Sequence, residues 1–495
     1  MIHNCSNRMC SHSRELPLHV ALFPFMSHSH MMATIDIAKL FASRGSKVTL
    51  ITTSSNSPLF YKSIYKSQEK GHRIALHIIE FPSSEIGLPE GCETLNFVKP
   101  PELKERFLKV IPLLEKPIDE FLQKHRPNVL VADTCFPWAN NLAAKHGIPR
   151  LLFHGTCTFA ICASLCINSF TPHKKVSSES ESFVTPSLPG NIELSRNQLP
   201  SFMKLEDDET EIARVFRASA DSDSKCYGVI VNSFYELEPA YSDFYRNVLG
   251  RKTWNMGPVS LCNGDSEVKA NRGSRVSASD INLECLQWLD HKETHSVIYI
   301  CFGSTTTFTN EQLKEVALGL EASGVEFIWV INKNKEDDDA GKEQWLPEGF
   351  ENRTKEKGLI LRNWAPQLLI LDHKAVGAFV THCGWNSVME AVAAGVPMVT
   401  WPVGAEQFFN EKLVTQVLKI GVGVGVQKWV RWVGDSVKHE AIERAVRKVM
   451  VGEEATEMRI RAGGFAEKAR EAVAEGGSSH SDLSSLIEEL LSLNS

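Results

Sequence analysis

The most informative part of the sequence is Trp364–Gln407, which reads WAPQLLILDHKAVGAFVTHCGWNSVMEAVAAGVPMVTWPVGAEQ. The apolar run AVGAFVTH from Ala375 predicts a buried parallel strand, and Gly384 then turns the chain into a helical pattern that begins at Asn386. The first N–H groups of such a helix have no intrahelical partner and carry the positive end of the helix dipole. This strand, turn and helix therefore suit a diphosphate group.

Polar and aromatic side chains surround the start of this helix. Asn386 and Ser387 offer donors at its first turn, and His382 closes the strand on the same side. Glu390, one turn into the helix, is placed to accept hydrogen bonds from the vicinal hydroxyls of a ribose. Trp364 offers a flat face for a base, and such stacking is worth about 1–3 kcal/mol. Any of these residues alone has an ordinary structural explanation, but together they predict a nucleotide-sugar site.

The segment resembles, without a gap, the signature box of the plant secondary-product UDP-glycosyltransferases, family 1 enzymes with the two-domain GT-B fold. The resemblance implies a UDP-sugar as co-substrate, no metal, and no other cofactor. It implies that Trp364 and Ala365 contact uracil, with Gln367 on the same rim, and that Glu390 binds the ribose. The diphosphate ligands that it implies are His382, Trp385, Asn386 and Ser387. The sugar hydroxyls would be bound by Glu406 and Gln407. A glutamine at the last position of the box, as at Gln407, is typical of the family members that use glucose. A histidine there is commoner among members that use galactose.

Three rival motifs are weaker. His382 and Cys383 are adjacent, and adjacent residues of a strand point to opposite faces, so they do not form a nucleophile and base pair. Asp337–Asp339 imitates a DxD metal site, but its neighbours are polar and no strand precedes it, which is typical of a solvated loop. The turn FMSHSHMM after the first predicted strand lacks the glycines of a dinucleotide-binding GxGxxG motif.

Length and charge limit the class of protein. A chain of 495 residues exceeds what one hydrophobic core usually serves, which favours two domains. A net charge of −7 without a long basic run argues against nucleic acid as a partner. The N-terminus lacks the apolar core of a signal peptide, and no run of about 18 apolar residues occurs. We therefore expect a soluble, cytoplasmic monomer whose 12 cysteines are free thiols.

Alternating strand and helix patterns predict two doubly wound Rossmann-like α/β domains that face each other across a cleft. The first series of strands is predicted at HVALFPF (His19–Phe25), KVTLITT, NVLVAD ending at Asp133, RLLFHG ending at Gly155 and YGVIVNSF ending at Phe234. The second series is predicted at SVIYICFGS, FIWVI, LILRNW, the signature strand and MVTWPV. The short run GVGVGV near Gly421 and helices from about Val437 complete the second domain. A helix is predicted over Met31–Ser43, and an irregular surface excursion over Thr171–Leu199.

The segment Ser260–Asp280 is rich in Gly, Ser and charge and predicts an interdomain linker. The predicted divisions are an acceptor-binding domain over 1–259, the linker over 260–280, a UDP-sugar-binding domain over 281–475, and a C-terminal helix over 476–495. In the family that the chain resembles, this last helix packs back on the first domain.

Catalytic groups are expected where the first strands end, because open α/β sheets bind ligands beyond the carboxyl ends of their strands. His28 and His30 follow the first strand, and His30 falls on the position of the family's catalytic histidine. Ser29 and Ala33 replace the glycine and proline that usually accompany it, so His28 remains an alternative base. Asp133 ends another strand at the same edge and either orients the histidine or caps the helix near Pro137.

The resemblance implies an inverting transfer. A neutral histidine deprotonates the acceptor hydroxyl, the oxygen attacks the anomeric carbon, and UDP leaves. An α-linked donor then gives a β-glucoside. Ser304 matches a family residue that touches the diphosphate, although a serine there also suits a turn cap. The alternative function is a protein that binds UDP-sugar or an aglycone without turnover.

The acceptor is expected to be a small lipophilic plant metabolite such as a triterpenoid or flavonoid. Apolar residues of the first domain either line its pocket or belong to the core, and they are Phe25, Met26, Phe136, Trp138, Phe159 and Phe202.

Overall fold

The computed structural model describes residues 17–98, 101–205, 208–273, 279–331, 345–431 and 434–493. The Asp337–Asp339 motif and residues 274–278 of the predicted linker lie outside the described residues. Two parallel β-sheets with helices on both faces dominate the fold, as the alternating patterns predicted.

Seven described strands form the first sheet, in the order β3-β2-β1-β4-β5-β8-β9, and every neighbouring pair is parallel. The strands are β1 His19–Phe23, β2 Lys47–Thr53, β3 Ile74–Ile79, β4 Val129–Asp133, β5 Arg150–His154, β8 Gly228–Val231 and β9 Thr253–Asn255. Two further strands, β6 Ser182–Val184 and β7 Glu193–Ser195, pair antiparallel with each other. The predicted irregular excursion therefore contains a short hairpin, which is too brief to leave a clear alternating pattern.

Six described strands form the second sheet, in the order β12-β11-β10-β13-β14-β15, and all are parallel. They are β10 Val297–Cys301, β11 Glu326–Ile331, β12 Gly358–Arg362, β13 Val376–Thr381, β14 Met398–Thr400 and β15 Gly421–Gly423. The signature strand is β13, at the centre of this sheet and fully buried, which explains its continuous apolar run.

The helices before β8 are α1 His28–Ser43, α2 Pro58–Glu69, α3 Pro101–Leu108, α4 Val110–Leu113, α5 Glu115–His125, α6 Ala139–Lys145, α7 Thr158–Phe170, α8 Ser201–Lys204 and α9 Glu211–Asp223. The later helices are α10 Pro239–Asp243, α11 Ser266–Asn271, α12 Ser279–Asp290, α13 Asn310–Ser323, α14 Phe350–Thr354, α15 Gln367–Leu371, α16 Trp385–Ala394, α17 Gln407–Lys412, α18 His439–Met450, α19 Glu453–Val473 and α20 Ser478–Ser492.

Strand order reverses direction between β1 and β4 in the first sheet and between β10 and β13 in the second. At such a switch point the connections leave on opposite faces and open a crevice beyond the strand ends. The two crevices face each other across a cleft of about 990 Å³. Both predicted substrate regions, after β1 and β4 and after β10 and β13, line this one cleft.

The last described helix, α20, packs against β9 of the first sheet. Its buried leucines, Leu483, Leu486 and Leu490, belong to the same apolar cluster as Leu18 and Val20 around β1. Ser479 also donates a hydrogen bond to the Gly257 carbonyl (2.6 Å). The chain thus returns to the first domain after completing the second.

Two predictions about the chain as a whole concern membranes and thiols. Among the described residues, no helix is long and apolar enough to cross a membrane. The cysteines in the described ranges, from Cys92 to Cys383, are free thiols, as predicted.

Candidate active site

His30 and Asp133 meet at the switch point of the first sheet. His30 lies in the first turn of α1, and Asp133 is the last residue of β4. His30 Nδ1 lies 2.6 Å from Asp133 Oδ2. Asp133 is fully buried, whereas about a quarter (24%) of the His30 side chain is exposed to the cleft. The pair therefore leaves the Nε2 side of the imidazole for a ligand.

Of the two contacts that the sequence left open for Asp133, the structure shows the one to His30 and no cap on the next helix. Its Oδ2 orients His30, and its Oδ1 accepts a hydrogen bond from the Cys135 N–H in the turn that follows (3.0 Å). The next helix, α6, begins at Ala139 rather than near Pro137. The carboxylate is thus held by the turn while it holds the histidine.

The charges of the pair support each other. Burial is the largest single effect on the pKa of His30 and lowers it, but the charge and hydrogen bond of Asp133 and the charge of Glu406 together raise the pKa overall. Burial is also the largest single effect on the pKa of Asp133 and raises it, but the charge and hydrogen bond of His30 and the hydrogen bonds from Cys135 together lower the pKa overall. The carboxylate is therefore ionised at neutral pH and stabilises the imidazolium that would form on proton uptake.

Helix α1 begins at His28, three residues before the predicted start, because a distant residue caps it. Asn96 Oδ1 accepts from the His28 N–H (2.7 Å). The cap comes from a loop far along the chain and leaves no local signal.

Gly155 allows the His30 ring to lie close, since a Cβ there would sit 3.1 Å from His30 Cε1.

His28 takes a different position from His30. It lines the cleft and its ring lies against Gly273, where a Cβ would come within 2.6 Å of His28 Nε2. The structure thus places His30, and not His28, on Asp133.

His382 lies at the switch point of the second sheet, directly after β13. Burial lowers its pKa to about 4, so the ring is neutral at physiological pH and acts as an N–H donor rather than a cation. Among the described residues, its Nδ1 has no hydrogen-bond partner. The positive φ of this turn falls on Cys383 (64°), not on Gly384. Gly384 is needed because a Cβ there would collide with the His382 ring.

The first turn of α16 carries Trp385, Asn386 and Ser387 into the cleft. The Trp385 indole is buried and donates to the Asn232 carbonyl of the first domain (2.7 Å). Asn386 Nδ2 donates to the Ser29 carbonyl (2.7 Å). The side chains of both residues therefore join the domains, and the N–H groups of this helical turn remain the donors suited to a diphosphate.

Glu390, one turn further into α16, lies beside Gln367, the first residue of α15. Gln367 Nε2 donates to Glu390 Oε2 (2.7 Å) and to Ser387 Oγ (3.3 Å). Trp364 and Ala365 line the adjacent rim of the cleft, and Trp364 is half-buried. The predicted uracil and ribose ligands are thus neighbours.

Glu406 and Gln407 lie where α17 begins. Gln407 Oε1 accepts from the N–H groups of Val403 (2.8 Å) and Gly404 (2.9 Å), which fixes the amide and leaves its NH₂ as a donor. Burial raises the pKa of Glu406, which lies close enough to His30 for their charges to interact. One of the predicted sugar ligands, Glu406, therefore lies near the predicted base.

Ser304 follows β10, and its Oγ accepts from Asn96 Nδ2 across the cleft (2.7 Å). The next helix, α13, has its N-cap at Thr309, so Ser304 does not cap it. Asn96 therefore contacts both domains, and sequence reasoning missed it because its partners are distant.

The first domain supplies most of the apolar wall of the cleft. Of the proposed pocket residues, Phe25 and Phe202 line it. Met26, Phe136 and Phe159 are buried in apolar clusters, and Trp138 packs against one of them. Helices α7 and α9 add Ile161, Leu165, Ile212 and Val215. Trp429, from the second domain, lies edge-on to Phe202 (6.4 Å between ring centroids).

Comparison with known proteins finds close relatives over nearly the whole chain. The model of the family described as UDP-glucoronosyl and UDP-glucosyl transferase matches residues 267–457. The scopoletin glucosyltransferase of Nicotiana tabacum is 51% identical over 478 residues, covering 97% of this chain and 99% of that protein. The UDP-glucose flavonoid 3-O-glucosyltransferase 7 of Fragaria ananassa is 52% identical over 480 residues, 96% of each chain.

The crystal structure of Glycyrrhiza uralensis UGT73P12 complexed with glycyrrhetinic acid 3-O-monoglucuronide has the same fold. Its TM-score is 0.90 at 41% identity, and the match covers 97% of this chain and 96% of that chain.

Proposed function

Because the chain belongs to the plant UDP-glycosyltransferases of the GT-B fold, we propose that it transfers glucose from UDP-glucose to a hydroxyl of a small lipophilic plant metabolite, with inversion to a β-glucoside. The observation that carries this proposal is the His30–Asp133 pair, which opens into the cleft beside Glu406 and opposite the start of α16. A protein that only binds sugar nucleotides has no need of an oriented base there.

In the proposed mechanism, His30 acts through Nε2, because Nδ1 is held by Asp133. It takes the proton of the acceptor hydroxyl while that oxygen forms a bond to the anomeric carbon. The bond from this carbon to the β-phosphate oxygen breaks, and its electron pair leaves with UDP. Attack from the face opposite the leaving group converts an α-linked donor into a β-linked product.

The leaving group is stabilised from the second domain. The first N–H groups of α16 and the neutral His382 supply hydrogen bonds to the diphosphate. Ser304 adds a hydroxyl from the end of β10. We assign uracil stacking to Trp364 with Ala365 and Gln367 at the rim, ribose to Glu390, and sugar hydroxyls to Glu406 and Gln407.

Two arguments support glucose as the donor. The amide of Gln407 is fixed with its NH₂ free to donate, which suits a sugar hydroxyl. Both curated relatives described above carry glucosyltransferase names.

The acceptor class follows from the wall of the cleft. Phe25, Phe202, Ile212 and Val215 present apolar surface of the size that a planar phenolic or a terpenoid skeleton would cover. The related proteins are named for scopoletin and a flavonoid, and the related crystal structure holds a glycyrrhetinic acid glycoside. We propose a flavonoid, coumarin or triterpenoid acceptor.

We also propose the domain division 1–259, 260–280, 281–475 and 476–495. The two sheets separate on either side of the proposed linker, and the packing of α20 on β9 supports a final helix that returns to the first domain. The cytoplasmic location and the monomeric state stay predictions.

The test is product mass. Purified protein is incubated with a pool of plant aglycones and glycosides, in separate runs with UDP-glucose, UDP-galactose, UDP-xylose and UDP-glucuronic acid. We expect a hexose gain in the UDP-glucose run, which NMR would identify as a β-linkage. UDP binding without product in any run, with acceptors of each class present, would instead favour the binding protein.

A further inference from the structure

A charged cluster joins the two domains at the wall of the cleft, and Arg272 is its centre. This residue directly follows α11, between the two sheets. Its Nη1 donates to Glu390 Oε1 (2.5 Å), while Nη2 and Nε donate to Asp36 Oδ2 (2.9 and 3.1 Å). One side chain thus bridges α1 of the first domain and α16 of the second.

The cluster is almost completely shielded from solvent. The exposed side-chain fractions are 0% for Asp36, 5% for Glu390 and 12% for Arg272. Burial is the largest single effect on the pKa of Asp36 and raises it, but the charges of Arg272 and Lys39 and the hydrogen bonds from Asn263 and Arg272 together lower the pKa overall. Asn263 Nδ2 donates to the other oxygen of Asp36 (2.9 Å). A buried carboxylate in such a setting depends on its cationic partner, because the charge has no water to solvate it.

The hydrogen bonds of Glu390 leave a specific capacity unused. An ionised carboxylate has about four lone-pair sites on its two oxygens. Oε1 accepts from Arg272 and Oε2 accepts from Gln367, one bond each. One site therefore remains on each oxygen, which is the requirement for two neighbouring hydroxyl groups. Since the two donors come from different elements, they also fix the plane of the carboxylate.

We infer that Arg272 is a positioning residue for the donor: it holds Glu390 so that the carboxylate presents its two remaining acceptor sites to the ribose hydroxyls of the UDP-sugar. The inference rests on the proposed function, in which Glu390 accepts these hydroxyls. It also links the two substrate sites, because Arg272 is anchored on Asp36 in the helix that carries His30.

The test compares the binding of UDP and 2′-deoxy-UDP by isothermal titration calorimetry, which needs no acceptor. The wild-type protein is expected to bind UDP about tenfold or more tightly than 2′-deoxy-UDP, as for one hydrogen bond to a charged group. In Arg272→Gln, UDP binding should weaken about tenfold while 2′-deoxy-UDP binding changes less, so the ratio of the two affinities falls toward one. A merely structural defect would weaken both ligands alike.

Three results would overturn the inference in distinguishable ways. If wild type does not discriminate and Glu390→Gln leaves both affinities unchanged, the ribose role proposed for Glu390 fails and Arg272 has nothing to position. If wild type discriminates and Arg272→Gln keeps the same ratio, only the role of Arg272 fails. Tighter UDP binding by Arg272→Gln would show that the arginine competes with the ribose.

Lys66→Gln is the matched control, because Lys66 binds Glu267 of α11 at an exposed site away from Glu390. In this variant, the ratio of the affinities for UDP and 2′-deoxy-UDP should equal that of wild type. Should Arg272→Gln not fold, as judged by near-UV circular dichroism, Arg272→Lys replaces it. A lysine keeps the charge but lacks the planar guanidinium that reaches both carboxylates. The ratio of the UDP and 2′-deoxy-UDP affinities should therefore fall again, though by less than in Arg272→Gln. An unchanged ratio in a folded Arg272→Lys would count against the inference.

Discussion

At the level of single residues, the His30–Asp133 pair is the center of the proposed chemistry. We expect His30→Ala to lower kcat by at least about 10²-fold, because general-base catalysis contributes about that much or more. UDP binding should stay nearly unchanged, since the proposed nucleotide contacts lie in the second domain. Steady-state kinetics and calorimetry measure the two effects separately. His28→Ala is the matched control, and retained turnover in His30→Ala with loss in His28→Ala would move the role to His28.

Asp133→Asn should change the pH dependence as well as the rate. The Asp133 carboxylate holds the pKa of His30 above its usual value, so kcat/KM should rise with pH as His30 loses its proton, along a limb above pH ~6.5. Without the Asp133 carboxylate, burial lowers the pKa of His30 and only the smaller effect of the Glu406 charge opposes it, so this limb should move to lower pH. The plateau should fall about 10²- to 10⁴-fold, because an amide can hold the wrong tautomer. A pH profile with an unmoved limb would contradict the proposed pairing.

Gln407→His should impair glucose use more than UDP binding. The Gln407 amide oxygen accepts two backbone N–H groups, and its NH₂ is the part proposed to meet the sugar. Competition between UDP-glucose and UDP-galactose measures the donor ranking, and UDP titration checks the nucleotide site. An unchanged ranking would refute the assignment of Gln407 to the sugar.

At the level of the secondary-structure elements, apolar runs predicted most strands of both sheets, because parallel strands buried on both faces show continuous hydrophobicity. Three edge strands, β3, β9 and β15, were not predicted as strands. The helix starts were less accurate. Helix α1 begins at His28 because Asn96 caps it from a separate loop, and no local pattern encodes such a contact. The hairpin of β6 and β7 was missed because three-residue strands are too short for a periodicity.

Asn96 should stabilise α1 and align the two domains by separate atoms. Asn96→Ala should reduce the free energy of unfolding by about 1 kcal/mol through loss of the cap, and lower kcat because His30 lies in the capped turn. Asn96→Asp keeps the acceptor for the His28 N–H but loses the donor to Ser304, so it should retain most of the stability. Denaturant titration and kinetics measure both. Equal destabilisation by the two variants would argue against the cap.

At the level of the whole molecule, the chain closes on itself through α20. Leu486 is fully buried with residues of the first domain. Leu486→Ala should therefore reduce the free energy of unfolding by about 2–5 kcal/mol. The affinity for UDP should not change, because the nucleotide contacts lie elsewhere. Leu491→Ala, at an exposed position of the same helix, should cost less than about 1 kcal/mol. Similar losses in both variants, measured by denaturant unfolding, would disprove the packing role of α20.

The sequence by itself determined the two α/β domains, the signature segment and the residue types of the proposed nucleotide-sugar site, because periodicity and short-range spacing encode strands, turns and helices. Only the tertiary structure decided that His30 rather than His28 meets Asp133, that Phe25 and Phe202 line the cleft while Phe136 and Phe159 are core, and that Arg272 joins Asp36 to Glu390. These contacts join residues far apart in the chain, and their energies depend on burial and on partners that no local pattern specifies.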